Sequence, residues 1–257
     1  MSGSTLALPV PVALERSRFY FRMAVACFAV AVAGFAPTYW IPLVGGTLSV
    51  PPLVHIHAVF FYGWTLLFMR QTWLASRGAI ARHRELGIAG VALATGMCFL
   101  GLWVAINGLK QFEAAGFGET ARAFSIVSVT GILLFGALFG AAVVFVKNPD
   151  IHKRLMLVAT VSVLQAAIAR WFAVFLATPG PGGIRLPPPV AVSVMPGLVS
   201  DLLIVWAMIH DRNTRGRVHP VYWIAGGVLL AVQLLRVPLS STAGWHRITE
   251  WMLALAP

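Results

Sequence analysis

The sequence predicts an all-α integral membrane protein, folded as one polytopic bundle of about seven membrane-spanning helices. Of its 257 residues, 59% are hydrophobic and only 11% are Asp, Glu, Lys or Arg. A soluble domain carries about 25% charged residues, so this chain lacks the polar surface that a soluble particle of its size needs. The same excess of apolar residues excludes a disordered chain.

Seven apolar stretches are long enough to cross a bilayer. A hydrocarbon core of about 30 Å needs about 20 helical residues, whereas barrel strands would be about 10 residues long with alternating polarity. The connections between the stretches are too short to hold a soluble domain. The predicted spans are 19–37, 53–70, 86–107, 123–146, 155–177, 190–209 and 220–239.

Lys and Arg are distributed unevenly between the two sets of connections, 13 against 4. Because cytoplasmic loops carry the excess of Lys and Arg, the split predicts a cytoplasmic N-terminus and an external C-terminus. Topology thus explains the net charge of +11, and nucleic acid is not an expected partner. The larger set is Arg16, Arg18, Arg22, Arg70, Arg77, Arg82, Arg84, Lys147, Lys153, Arg154, Arg212, Arg215 and Arg217, and the smaller is Lys110, Arg122, Arg185 and Arg247.

Two short segments flank the predicted membrane domain at 19–239. We predict a cytoplasmic segment at 1–18 that is not a signal peptide, since its apolar stretch lacks a basic leader. Residues 240–257 carry Trp245 and Trp251, which is typical of a short helix at the outer interface. The stretches APTYWIPLVGGTLSVPP and TPGPGGIRLPPP are predicted external loops that could cover the outer mouth.

Several polar side chains are predicted inside the outer half of the spans, where ionisable groups are unfavourable and usually functional. Asp201 lies near the midplane, and Arg170 and Arg236 lie in the outer third. Asp201 is expected to pair with one of these arginines, because an unpaired buried charge is unfavourable. The group forms either a structural ion pair or a cavity for an anionic or redox-active molecule. The predicted substrate pocket comprises His55, His57, Gln165, Arg170, Asp201, Gln233 and Arg236.

The backbone conformation decides whether His55 and His57 share a site. On a helix, two residues that are two apart point away from each other. An extended backbone after Pro51 and Pro52 would instead place both rings on one side.

Three histidines beside cations open predicted spans at the cytoplasmic face: His83, His152 and His219. The positive end of a helix dipole and the adjacent cations disfavour the imidazolium form. Neutral imidazole is the form that binds a metal ion or haem iron, so these three residues are the predicted metal or cofactor ligands. The alternative is that they are interfacial residues among cations that bind lipid phosphates.

Four motifs resemble a widespread family of bacterial heptahelical membrane proteins that has no settled activity. They are HIHAVFFYGWTLLFMRQTWLASRGAIARHRELGIAG, NPDIHKRLMLVAT, TRGRVHP and LLRVPLS. The resemblance runs from about Ala36 to Trp245 and implies the fold and a bacterial inner membrane, but no reaction. The short piece from His83 to Gly87 is also loosely similar to membrane-protein families linked to di-haem cytochromes.

Residue type excludes a retinal protein, and it distinguishes this chain from the familiar seven-span zinc hydrolases without excluding zinc hydrolysis. The last predicted span has no lysine that could form a retinal Schiff base. The seven-span zinc hydrolases need two histidines four residues apart on a late helix, and here His219 stands alone. Cys27 and Cys98 lie in apolar runs and are predicted to pack between helices.

Three hypotheses remain. The first, which we favour, is a membrane redox or metal protein that holds a metal ion or b-type haem. The second is a binding or transport protein that takes an anionic solute or lipid at Arg170 and Arg236, with Asp201 balancing charge. The third is a membrane-anchoring subunit of a larger complex.

Overall fold

The computed structural model describes residues 12–176 and 187–255, and their side chains from 18 to 175 and from 187 to 255. Within these ranges there are no strands, and seven helices are long and apolar enough to cross a membrane. The predicted seven-span bundle is therefore confirmed. The helices are α1 Val12–Phe35, α2 Ile41–Val44, α3 Pro52–Ser76, α4 Ile80–Ala114, α5 Gly118–Val144, α6 Pro149–Leu176, α7 Val194–Arg215, α8 Pro220–Leu239 and α9 Ala243–Leu255.

The helices extend well beyond the apolar stretches that predicted them. The third span, predicted at 86–107, belongs to the 35-residue helix α4. Arg, Glu, Lys and Gln are good helix formers, so the helix continues through polar residues that hydropathy does not count. It stops at Gly116, whose φ of 83° is a left-handed conformation that favours glycine.

The first predicted external loop is partly helical. A π-helix at Ala36–Trp40 joins α1 to α2, and only the residues after Val44 leave the helical path. Pro37 has no N–H to donate, and the N–H of Ile41 bonds to the carbonyl oxygen of Ala36, five residues back. The second predicted loop, 178–189, lies outside the described residues up to 186, and so does its Arg185.

Helix α6 occupies the centre of the bundle, where it packs against α1, α5, α7 and α8. The closest approach is at Gly34 of α1, where an added Cβ would lie 2.5 Å from the carbonyl oxygen of Ala167. Cys27 is fully buried in the same core, and the partly buried Cys98 packs against the edge of that core. The two cysteines are free and packed between helices, as predicted.

The predicted C-terminal helix is present as α9, which packs against α4 and α5 at the end opposite the connections α3–α4, α5–α6 and α7–α8. We call the end that carries those three connections the basic end. Trp245 is buried and its Nε1 donates to the carbonyl oxygen of Arg122 at 2.7 Å. Trp251 is 63% exposed, so one tryptophan anchors α9 and the other faces outward.

Candidate functional site

His83 and His152 meet at the basic end of the bundle. His83 lies in the first turn of α4 and His152 in the first turn of α6. Their ring centroids are 6.4 Å apart and the ring planes are perpendicular. Both side chains are partly buried. Helix packing therefore brings together two imidazoles that are 69 residues apart in the chain.

Each of these two rings is oriented by a backbone carbonyl. His83 Nδ1 lies 3.3 Å from the carbonyl oxygen of Gln71 in α3, and His152 Nδ1 lies 2.8 Å from that of Ala142 in α5. A carbonyl oxygen only accepts, so in each contact Nδ1 donates and carries the proton. A neutral ring then keeps its lone pair on Nε2. A metal-binding histidine usually has this arrangement.

Gln71 provides a further polar group beside His83. Its Nε2 donates to the His83 carbonyl oxygen at 3.1 Å, so each residue contacts the backbone of the other. Its Oε1 is buried and has no hydrogen-bond partner among the described residues. This acceptor is therefore available to a water or an ion.

His219 has a different structural role. It is the N-cap of α8, and its Nδ1 accepts the backbone N–H of Val221 at 3.3 Å. In a neutral ring that accepts at Nδ1, the proton is on Nε2, opposite to His83 and His152. Across the described ranges, no three His, Cys, Asp or Glu side chains form a group that could hold a metal ion. The predicted set of three ligands is thus reduced to a pair.

A charged network also lies at the basic end, and sequence reasoning missed it. Arg154 is fully buried and binds Asp211 through two hydrogen bonds of 2.6 and 2.8 Å. Asp150 contacts Arg154, Lys153 and Arg215 at 3.2, 2.8 and 2.6 Å. The available signal was the i,i+4 spacing of Asp150 to Arg154 and of Asp211 to Arg215, which places opposite charges on one helix face.

Two buried tyrosines close this network on its apolar side. The hydroxyls of Tyr20 and Tyr222 are 3.0 Å apart. The Lys153 ammonium lies 5.2 Å from the centre of the Tyr20 ring, and the Arg154 guanidinium lies 5.7 Å from that of Tyr222. These cation–π contacts help to hold α1, α6 and α8 together at the basic end.

A second polar network surrounds Arg236 in the half of the bundle away from the basic end. Arg236 is only 2% exposed. Its Nε donates to Thr130 Oγ1 at 2.7 Å and its Nη1 donates to Gln165 Oε1 at 2.8 Å. Gln165 Nε2 in turn donates to the carbonyl oxygen of Ser193. The prediction that Arg236 and Gln165 face the bundle interior is confirmed.

Within the part of the chain that the structure describes, Asp201 does not form the expected ion pair with an arginine. Its carboxylate instead accepts a hydrogen bond from Gln233 Nε2 at 3.3 Å. Gln233 is 1% exposed and lies against Gly197, where an added Cβ would come within 2.9 Å. Because Arg236 and Asp201 bond to separate neutral groups, their charges interact only at longer range.

The other predicted pocket residues have further contacts of their own. Arg170 lies with its guanidinium carbon 5.4 Å from the centre of the Phe35 ring. His55 and His57 both lie within α3, so the extended alternative is wrong, and the helix turns their rings apart. His55 Nδ1 is 2.9 Å from the Tyr39 hydroxyl. His57 stacks on Phe61 at 4.0 Å.

Comparison with known proteins adds no relative from which a function could be transferred. The chain matches no protein-family model, no curated protein and no solved structure.

Proposed function

We propose that this protein is a membrane-embedded metal or b-type haem protein whose ligands are His83 and His152. The observation that carries the proposal is the pair of adjacent rings, each with Nδ1 on a backbone carbonyl oxygen. That arrangement fixes both tautomers with the Nε2 lone pair available, and the buried Gln71 Oε1 supplies a further acceptor nearby. The helix starts supply the ligands, and the α3 and α5 backbones orient them.

The two rings are close enough for both to bind one ion. Their centroids are 6.4 Å apart, and a metal–nitrogen bond is about 2.0–2.1 Å long, so His83 and His152 would hold the ion between them.

The proposed reaction class is electron transfer. Two neutral imidazoles would hold a haem iron or a redox-active metal ion, and the bound group would supply one-electron chemistry. The chain would supply the two ligands, their fixed tautomers and a partly buried setting at one end of the bundle.

The first test is an absorption spectrum and elemental analysis of the full-length protein purified in mild detergent. We expect either a Soret band or about one equivalent of a first-row metal. The variants His83→Gln and His152→Gln should each lose the bound haem or metal. Two matched controls should keep it: His219→Gln, because His219 caps α8, and His246→Gln, because His246 lies in α9 at the opposite end.

The outcomes separate the proposal from its competitors. Wild-type protein with neither a Soret band nor bound metal, also after incubation with haemin or with Zn²⁺ and Cu²⁺, would contradict it. If His219→Gln also loses the metal, the result would support a metal centre with all three histidines as ligands. Circular dichroism of each variant shows whether the helices are retained, so a folding failure is not counted as loss of a ligand.

A second candidate function, binding or transport of an anionic solute, is favoured by the charge of Arg236. The guanidinium is 2% exposed and its hydrogen bonds to Thr130 and Gln165 are to neutral groups. A buried charge without a close counter-charge attracts an anion. Proteoliposome uptake of small carboxylates and inorganic phosphate tests this function. Loss of uptake in Arg236→Ala with metal content intact would favour it over the metal centre.

The orientation and location follow from the charge distribution. We infer that the basic end faces the cytoplasm of a bacterial inner membrane, because the cation-rich connections all lie at that end. Single-cysteine variants at Gly78 and Thr242, on a background without Cys27 and Cys98, test it with a membrane-impermeant maleimide. Only the Thr242 variant should react in intact cells, and labelling at Gly78 would reverse the orientation.

A further inference from the structure

A cavity opens at the basic end, between the end of α7 and the start of α8. Its volume is about 290 Å³, and it is lined by Arg215, Arg217, Val218, His219 and Pro220. Two arginines and a histidine thus line one cavity together with Val218 and Pro220. Guanidinium groups bind phosphate oxygens through pairs of N–H donors.

The charge around the cavity is positive after all local ion pairs are counted. The adjoining network contains three cations, Lys153, Arg154 and Arg215, but only two carboxylates, Asp150 and Asp211. Arg217 adds a fourth cation; it is exposed and forms no ion pair with the described residues. An anion in the cavity would therefore meet uncompensated positive charge.

His219 contributes a neutral donor. Its Nδ1 accepts the N–H of Val221, so the ring proton is on Nε2. The pKa of His219 is held below its usual range by burial and by the Arg154 guanidinium. The positive end of the α8 dipole adds to the same field, although Pro220 at the first helical position offers no N–H.

We propose that this cavity binds a phosphate group, held by Arg215, Arg217 and the Nε2–H of His219. The phosphate belongs either to the head group of an anionic membrane lipid or to a free phosphate ion, since both present the same oxygens. Either ligand would tie α7 to α8 beside the buried Arg154–Asp211 pair. The site is separate from the His83–His152 pair and does not depend on the proposed metal.

The test measures lipid and phosphate binding to the detergent-purified full-length protein. Native mass spectrometry with phosphatidylglycerol and with phosphatidylcholine gives the lipid arm, and calorimetry with inorganic phosphate gives the other. We expect phosphatidylglycerol or phosphate to bind, and phosphatidylcholine not to. If only the lipid binds, the ligand is a lipid head group. If inorganic phosphate binds and displaces the lipid, a free phosphate ion is sufficient to fill the site.

Two variants with the same change of charge test whether the ligand binds in this cavity. Arg217→Gln should weaken binding by about tenfold, the effect of one lost charge-assisted hydrogen bond. Arg212→Gln should change the binding affinity by less than about twofold. Arg212 is exposed in the last turn of α7 but does not line the cavity. Arg217 is exposed, so its replacement should not disturb packing.

Three results would overturn the proposal: binding of neither probe, equal binding of phosphatidylcholine, or equal weakening by both variants. Equal weakening would show general attraction of anions to the basic end. Metal content should be the same in Arg217→Gln and in the wild-type protein. A failure of the phosphate site can thus be distinguished from a failure of the metal centre.

Discussion

Arg154 and Asp211 form a fully buried bidentate ion pair, with Nε and Nη2 of Arg154 donating to Oδ2 and Oδ1 of Asp211 at 2.8 and 2.6 Å. The two residues belong to α6 and α7, and their side chains are 0% and 3% exposed. Paired hydrogen bonds of this kind fix both distance and orientation. The pair therefore sets how the central helix lies against its neighbour at the basic end.

Replacing one partner of this ion pair should destabilise the protein more than replacing both. We expect Arg154→Leu or Asp211→Leu to lower the free energy of unfolding by at most about 3–5 kcal/mol, because each leaves a buried charge without its bidentate partner. The remaining contacts, Arg154 with Asp150 at 3.2 Å and Asp211 with Arg215 at 3.8 Å, offset part of this loss. The double variant should be less destabilised than either single variant. Lys153→Gln, which loses a partly exposed pair with Asp150, should cost less than about 1 kcal/mol. Thermal unfolding in detergent measures all four, and additive losses in the double variant would contradict the argument.

The close approach of α1 to α6 should not tolerate a side chain at Gly34. A Cβ there would lie 2.5 Å from the backbone oxygen of Ala167, so Gly34→Ala must push the helices apart, at a cost of about 1–3 kcal/mol. Gly140 is the matched control, since a Cβ there would have no neighbour within 4 Å. Gly140→Ala should be neutral or slightly stabilising. Equal melting temperatures for the two variants would disprove the close contact.

Thr130 should stabilise the buried Arg236 through its hydroxyl. Thr130 Oγ1 accepts from Arg236 Nε at 2.7 Å, and Thr130→Val keeps the shape but removes the acceptor. We expect a loss of about 1–3 kcal/mol, the cost of an unsatisfied buried donor. Thr95 is exposed and bonds only within its own helix. Thr95→Val should therefore change stability by less than about 0.5 kcal/mol.

His219 should make the stability of α8 depend on pH. Its pKa lies below the usual value in the folded protein, because burial and Arg154 disfavour the imidazolium form. The stability from neutral His219 is therefore fully present above about pH 6.5, the usual value, and is lost as the pH falls through the folded pKa. Protonation of Nδ1 also removes the acceptor for the Val221 N–H.

The measurement compares wild type with His219→Ala over this range. Above pH 7 the variant should be less stable by about 1 kcal/mol, the value of an N-cap. As the pH falls below 6.5 and through the lowered pKa of His219, the difference should shrink, because the protonated wild-type ring no longer caps the helix. His246→Ala serves as the control, since His246 is not a helix cap. A difference that stays constant with pH would rule out the titration of His219.

The two tryptophans of α9 should differ in their effect on that helix. Trp245→Phe removes the hydrogen bond to the Arg122 carbonyl oxygen and should loosen α9. Trp251→Phe should not, because that ring is 63% exposed. Hydrogen exchange of the α9 amides is the measurement. Faster exchange in Trp245→Phe alone is the expected result, and equal exchange in both variants would contradict it.

The sequence by itself determined the number of spans, their order and the basic end. These properties depend on local composition, since about 20 apolar residues make a span whatever they pack against. It also identified Arg236 and Gln165 as interior residues, because a polar residue in an apolar helix avoids lipid. The clustering of cations at one end could also be predicted from sequence, because successive spans alternate in direction.

The tertiary structure decided which side chains meet. His83 lies beside His152 but His219 caps its own helix, and Arg236 bonds to Gln165 rather than to Asp201. These pairings depend on how each helix is rotated about its axis and how close it comes to its neighbours. Rotation and spacing are set by packing between segments far apart in the chain, such as the contact of Gly34 with Ala167, and helix periodicity alone does not specify them.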